Sequence, residues 1–127
     1  MSTEKKTGVM RFLRPRGRVT INTSNFVYDG HNLELLNETK FLGVTLDSQL
    51  TFDSHADRVK RKIIGGVAAL NRLRKLVPKE CMMATYYAYV HSHLNYALEV
   101  YGMLSNSQTL ALHRLQKRAL WSMSTLF

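Results

Sequence analysis

Acidic side chains are scarce in this sequence. Nine Asp and Glu stand against eighteen Lys and Arg, which leaves a formal charge of +9 and a pI near 10.0. No D-x-D or D-D pair occurs, so the chain offers no carboxylate set to hold two magnesium ions about 4 Å apart for phosphoryl transfer. Cysteine is scarcer still. A single residue, Cys81, excludes an internal disulfide and a cysteine-rich zinc site. Its place near a helix start would suit a reactive thiol, but a small buried hydrophobe is the plainer role. Long apolar runs are missing too. None approaches the roughly 20 residues a membrane span needs, and the N-terminus shows no apolar segment of the secretory kind. The expected setting is therefore reducing and intracellular, in cytoplasm or nucleus. Glycine-rich phosphate loops and a G-x-S-x-G elbow are absent, as are internal repeats. His91 and His93 are two apart and diverge on a helix, and His31, His55 and His113 are scattered. All five read as hydrogen-bonded or rim histidines, and no metal site is expected.

What is present suffices for a core. Hydrophobic residues make up 45% of 127 positions, which sets the chain apart from disordered ones and fits one domain, or one with a small appendage.

Two periods divide the chain. Residues 1–50 read as short strands and turns. Residues 9–13 form a candidate strand closed by Pro15 and Gly17, with 18–21 a possible partner. Residues 25–28 run into Asp29-Gly30, a pair whose tolerance of positive φ suits a type I′ hairpin, and 33–35 would return. Residues 40–46 are rich in β formers, with Gly43 marking a bulge or close approach.

From Phe52 onward the spacing becomes three and four. Ala56, Val59, Ile63, Val67, Leu70, Leu73 and Val77 mark an amphipathic helix, capped by Thr51 or Asp53 and stopped by Pro78. Gly65-Gly66 within it costs about 1 kcal/mol per glycine relative to alanine, a sign of a kink or tight crossing. A second helix is predicted over 79–103, with Met83, Tyr86, Tyr87, Val90, Leu94, Ala97 and Tyr101 on one side. A third starts near Ser107 and carries Leu110, Leu112, Leu115, Ala119 and Leu120. Short loops favour antiparallel neighbours. The expected fold is α+β: a short β-hairpin region over 1–50, then a three-helix bundle over 51–127.

The charge is concentrated. Arg58, Lys60, Arg61, Lys62, Arg72, Arg74, Lys75 and Lys79 fall in one stretch with no carboxylate between them. Like charges at i,i+4 weaken a helix, so such a run calls for an external polyanion, and phosphate backbones fit. A solvated surface is the plain alternative. Lys5, Lys6, Arg11, Arg14, Arg16 and Arg18 make a smaller cluster. Arg114, Lys117 and Arg118 read as surface charge. The aromatic row of the second helix (Tyr86, Tyr87 and Tyr101) and Trp121 read as core-facing in preference to base-stacking.

Several segments, in order, resemble the end of the reverse transcriptase of non-LTR retrotransposons, the jockey-like and related insect elements in particular. Lys6-Thr7-Gly8-Val9-Met10-Arg11-Phe12 looks like K-T-x-x-M-x-F at the end of the palm. Residues 40–47, KFLGVTLD, are similar to the primer-grip segment, and Leu50-Thr51-Phe52 with His55 to the start of the thumb. Leu70, Leu73, Arg74 and Pro78, then Ser92, Leu94 and Tyr96, then Tyr101-Gly102, and finally Leu115-Gln116-Lys117-Arg118-Ala119 continue the pattern.

The resemblance implies a palm edge with a thumb. Lys6 would approach nucleotide phosphates, and Phe41, Leu42 and Gly43 would support the primer terminus. The first helix, with Arg58, Lys60, Arg61, Lys62, Arg72, Arg74 and Lys75, would track the duplex. Implied partners are nucleic acid, as RNA–DNA hybrid or duplex backbone, and the rest of a polymerase. No membrane and no small-molecule substrate are implied. The family's Y/F-x-D-D motif, fingers, endonuclease and zinc knuckle have no counterpart here, and Thr3 stands where the family usually has asparagine. The parent polymerase needs magnesium; this chain is expected to hold no cofactor and not to polymerise alone. The alternative is a basic helical module for an acidic protein or an anionic membrane.

Overall fold

The structure, a computed structural model, describes residues 7–13, 26–96 and 98–124. The chain divides into two compact units, Met1–Leu50 and Thr51–Phe127. The first is built of short strands and the second of helices, a small α+β fold. No helix among the described residues is long and apolar enough to cross a membrane.

The strands are β1 (Gly8–Met10), β2 (Val27–Tyr28), β3 (His31–Asn32), β4 (Glu34–Leu36), β5 (Glu38–Phe41) and β6 (Val44–Asp47). They pair two by two: β1 with β4 in parallel, and β2 with β3 and β5 with β6 antiparallel. The Asp29-Gly30 hairpin forms as the dipeptide predicts, with φ of 49° and 77°. Its return strand is His31–Asn32, while residues 34–36 are taken by β1. The possible pairing of residues 9–13 with 18–21 lies largely outside the described residues.

Residues 40–46 are not one strand. Leu42 and Gly43 both take positive φ, 47° and 79°, and turn the chain into the β5–β6 hairpin. Gly43 adopts this conformation freely, whereas Leu42 carries a steric cost of about 1–2 kcal/mol. The periodicity of β formers is blind to such a turn when a leucine occupies its first position.

The helical unit holds α1 (Asp53–Leu73), α2 (Lys79–Tyr86), a π turn (Tyr87–His91), α3 (Ser92–Asn95), α4 (Leu98–Tyr101) and α5 (Asn106–Ser124). Ala56, Val59, Ile63, Val67 and Leu70 of α1 are buried as their spacing predicts. The helix ends at Leu73, short of Val77. Proline's ring pushes Val77 before it out of the helical region, and the last turn tightens: Leu76 N–H bonds Leu73 O at 2.8 Å and Val77 N–H bonds the same oxygen at 3.2 Å. Pro78, with ψ of 166°, then caps α2.

The second helix is not continuous. Ser92 N–H donates to Tyr87 O, a five-residue spacing, and Tyr96 is extended with ψ of 127°. Met82, Tyr86 and Val90 are buried, each four residues from the last, while Tyr87 and Tyr89 are exposed. Steps of four overshoot an α-helical turn by about 40°, so a wider turn keeps that row facing inward. Cys81, expected to be buried, is exposed.

Gln108 meets Lys60 near the start of α1, and α5 meets α1 again around Val67 and Arg118. Hence α1 and α5 run parallel, with the 79–95 segment antiparallel between them: Gly66 lies against Tyr89, and Gln116 donates to the Tyr86 hydroxyl at 3.4 Å. Ile63, Leu70, Met82 and Val90, fully buried where the three meet, each contribute roughly 1.5–3 kcal/mol of hydrophobic stabilisation.

Candidate nucleic-acid interface

The 21 residues of α1 span about 31 Å, and the side chains fall on three aspects of the helix. Arg61, Gly65, Ala68 and Arg72 follow one another at four, three and four, so they form one outward stripe, and all are exposed. A Cβ built on Gly65 would meet nothing within 4 Å. The stripe is thus low in its middle and cationic at both ends.

Arg58 and Lys62 flank it on the side facing the 79–95 segment. Their charges, together with burial as the larger cause, hold His55 below its ordinary pKa. Burial and Lys62 do the same to His93. Lys62 therefore stands near both His55 and His93.

The third aspect faces α5. Lys60 is committed there: its Nζ lies 2.7 Å from Asp57 Oδ1 and 2.7 Å from Gln108 Oε1. Sequence spacing placed Lys60 among the phosphate contacts, but this geometry already neutralises it. By contrast Arg58, Lys62, Arg72, Arg74, Lys75, Arg114, Lys117 and Arg118 pair with no carboxylate among the described residues.

Further along, α1 and α5 enclose an open groove of about 410 Å³, lined by Val67, Asn71, Arg74, Lys117, Arg118, Trp121 and Ser122. A smaller hollow of about 150 Å³ beside it adds Ile64, Ala68 and Leu115. Trp121, expected to face the core, is 72% exposed. Lys117 and Trp121, like Arg118 and Ser122, are four apart and so share helix faces, which was readable in the sequence. That this face adjoins Arg74 was not, because the register of α5 against α1 is a tertiary fact.

Other predicted site residues lie elsewhere. Lys6 falls outside the described residues. Lys75 is exposed in the turn after α1. Phe41, Leu42 and Gly43 sit at the β5–β6 turn of the first unit, with Phe41 and Leu42 exposed. No three His, Cys, Asp or Glu among the described residues come together to hold a metal ion. Compared with known proteins, the chain matches no family model, no curated protein and no solved structure.

Proposed function

We propose that this chain grips nucleic acid through α1, as the palm edge and thumb of a non-LTR reverse transcriptase would, and that it does no polymerase chemistry alone. One observation carries the reading: the exposed Arg61–Gly65–Ala68–Arg72 stripe, flanked by Arg58 and Lys62, with no carboxylate paired to Arg58, Lys62 or Arg72 among the described residues. Those like charges weaken the folded helix in the absence of an anion. A phosphate backbone relieves the repulsion and releases counterions, while the shallow centre at Gly65 and Ala68 allows close approach. Cytoplasm or nucleus would be the working compartment. The rest of a polymerase, with its aspartates, would supply the metal site.

The test is titration of a labelled RNA–DNA hybrid at two salt concentrations. Affinity is expected to fall steeply with salt. Arg72→Ala should lower the slope of log K against log salt by about one, whereas Lys60→Gln leaves it unchanged because Lys60 is already paired. Absence of binding at low salt, salt-independent binding, or capture by anionic vesicles without nucleic-acid binding would overturn the reading.

A further inference from the structure

We infer that the groove between the C-terminal halves of α1 and α5 binds one unpaired nucleotide, its base stacked on Trp121 and its phosphate held by Arg74, Lys117 and Arg118. This site serves the nucleic-acid binding proposed above and rests on that reading. It adds a preference that the outer stripe of α1 cannot supply, since a row of cations reads only backbone.

The groove combines three things that a duplex surface would not use together. The first is a concentration of positive charge. Arg74 comes from the turn after α1, and Lys117 and Arg118 from α5; no carboxylate lines the groove among the described residues. The second is an aromatic plane left in water. An indole 72% exposed beside cations is a costly surface unless something covers it, and every nucleobase offers a π face to do so. The third is an amide. Asn71 has both donor and acceptor atoms, which matches the edge of an unpaired base and has no use for a phosphate alone.

Size agrees. A groove of about 410 Å³ falls in the range of small-ligand sites, enough for a base with its sugar and phosphate but not for a stacked pair of strands. In a duplex both faces of each base are already stacked, so Trp121 could reach one only at a frayed end or an overhang. An acidic peptide would satisfy the three cations but would leave the indole and Asn71 without partners.

Trp121 is the sole tryptophan in the chain, which makes the site self-reporting. The experiment titrates the full chain with oligo(dT) and with a blunt duplex of the same length. It follows tryptophan fluorescence and, with labelled strands, anisotropy at one low salt concentration. Single strands are expected to quench Trp121 saturably, and the blunt duplex to bind with little quenching. Trp121→Ala should weaken oligo(dT) binding between roughly 5- and 150-fold, the range that stacking one base supplies, and change duplex affinity less than about twofold. The side chain is exposed, so this variant folds as the parent does. Arg118→Gln should lower the salt slope for oligo(dT) by about one.

Oligo(dT) binding seen by anisotropy without quenching would overturn the inference and leave the α1 reading standing. So would equal quenching by duplex, equal weakening of both ligands by Trp121→Ala, or quenching by a poly-glutamate peptide that matches oligo(dT). If neither nucleic acid binds, both readings are overturned.

Discussion

Gly65 and Gly66 are neighbours in sequence, yet replacing each with alanine should change stability in different ways. Both substitutions remove the same backbone freedom from the unfolded chain and restore the same helix propensity, about 0.5–1 kcal/mol in a helix interior. At Gly65 nothing opposes that gain, since a Cβ there has no atom within 4 Å. At Gly66 the new carbon would lie 2.8 Å from the Tyr89 carbonyl oxygen and 3.1 Å from Val90 Cγ2. Carbon–oxygen contacts between packed elements sit at roughly 3.3–3.6 Å, so α1 and the π turn would have to part by about half an ångström. Ile63, Leu70, Met82 and Val90 are fully buried in the same unit, so that retreat loosens packing around them. Overpacking of this kind costs about 1–3 kcal/mol. Gly65→Ala should therefore stabilise the protein by up to about 1 kcal/mol, and Gly66→Ala should be about 1–3 kcal/mol less stable than Gly65→Ala. For a domain of this size the gap corresponds to roughly 4 °C or more in Tm. Parallel thermal and urea melts of the two full-length variants, followed by far-ultraviolet circular dichroism, measure it. If Gly66→Ala melts at or above Gly65→Ala, the close crossing of α1 over Tyr89 is not what requires glycine there.

Stability should also fall on acidification from a defined point. His55 and His93 are held below the ordinary value of about 6.5, by burial first and then by Lys62, with Arg58 adding to the effect on His55. The unfolded chain then takes up protons before the folded one. Stability is full above pH 6.5, declines as the pH falls through that value, and levels off only below the depressed folded pKa values. Urea midpoints between pH 8 and pH 5 should show the decline, and His55→Gln should flatten it; a midpoint that rises on acidification would contradict the assignment. Hydrogen exchange should separate the two units, because the ladders of the first have two strands each and Thr45 alone is buried among its described side chains. Strand amides of the first unit are expected to exchange well ahead of those in α1 and α5, and equal protection would refute this.

Much of the fold was legible because its signals are local. A turn at Asp29-Gly30 needs only two residues that tolerate positive φ. The buried row from Ala56 to Leu70 needs only a 3.6-residue period. The clustering of cations from Arg58 to Lys79 is a matter of counting. Where local signals failed, a longer-range demand had intervened. Leu42 took a conformation its side chain resists, so that β5 and β6 could pair. The π turn at Tyr87–His91 kept Met82, Tyr86 and Val90 in one inward row and left Tyr87 in water, against the reading of that tyrosine as core.

The sequence by itself determined the sign of the charge, the absence of any D-x-D or D-D pair, and the division into a strand-forming half and a helix-forming half. These depend on composition and on periods of a few residues. Which cations are free, and what they face, only the tertiary structure decided. Lys60 and Arg72 look alike along the chain, but one is paired with Asp57 and Gln108 and the other projects from the outer stripe. Arg74 and Trp121 lie 47 positions apart and line the same groove only because α5 packs parallel to α1 in one particular register. That register follows from how buried side chains on separate helices fit together, and no spacing within either helix encodes it.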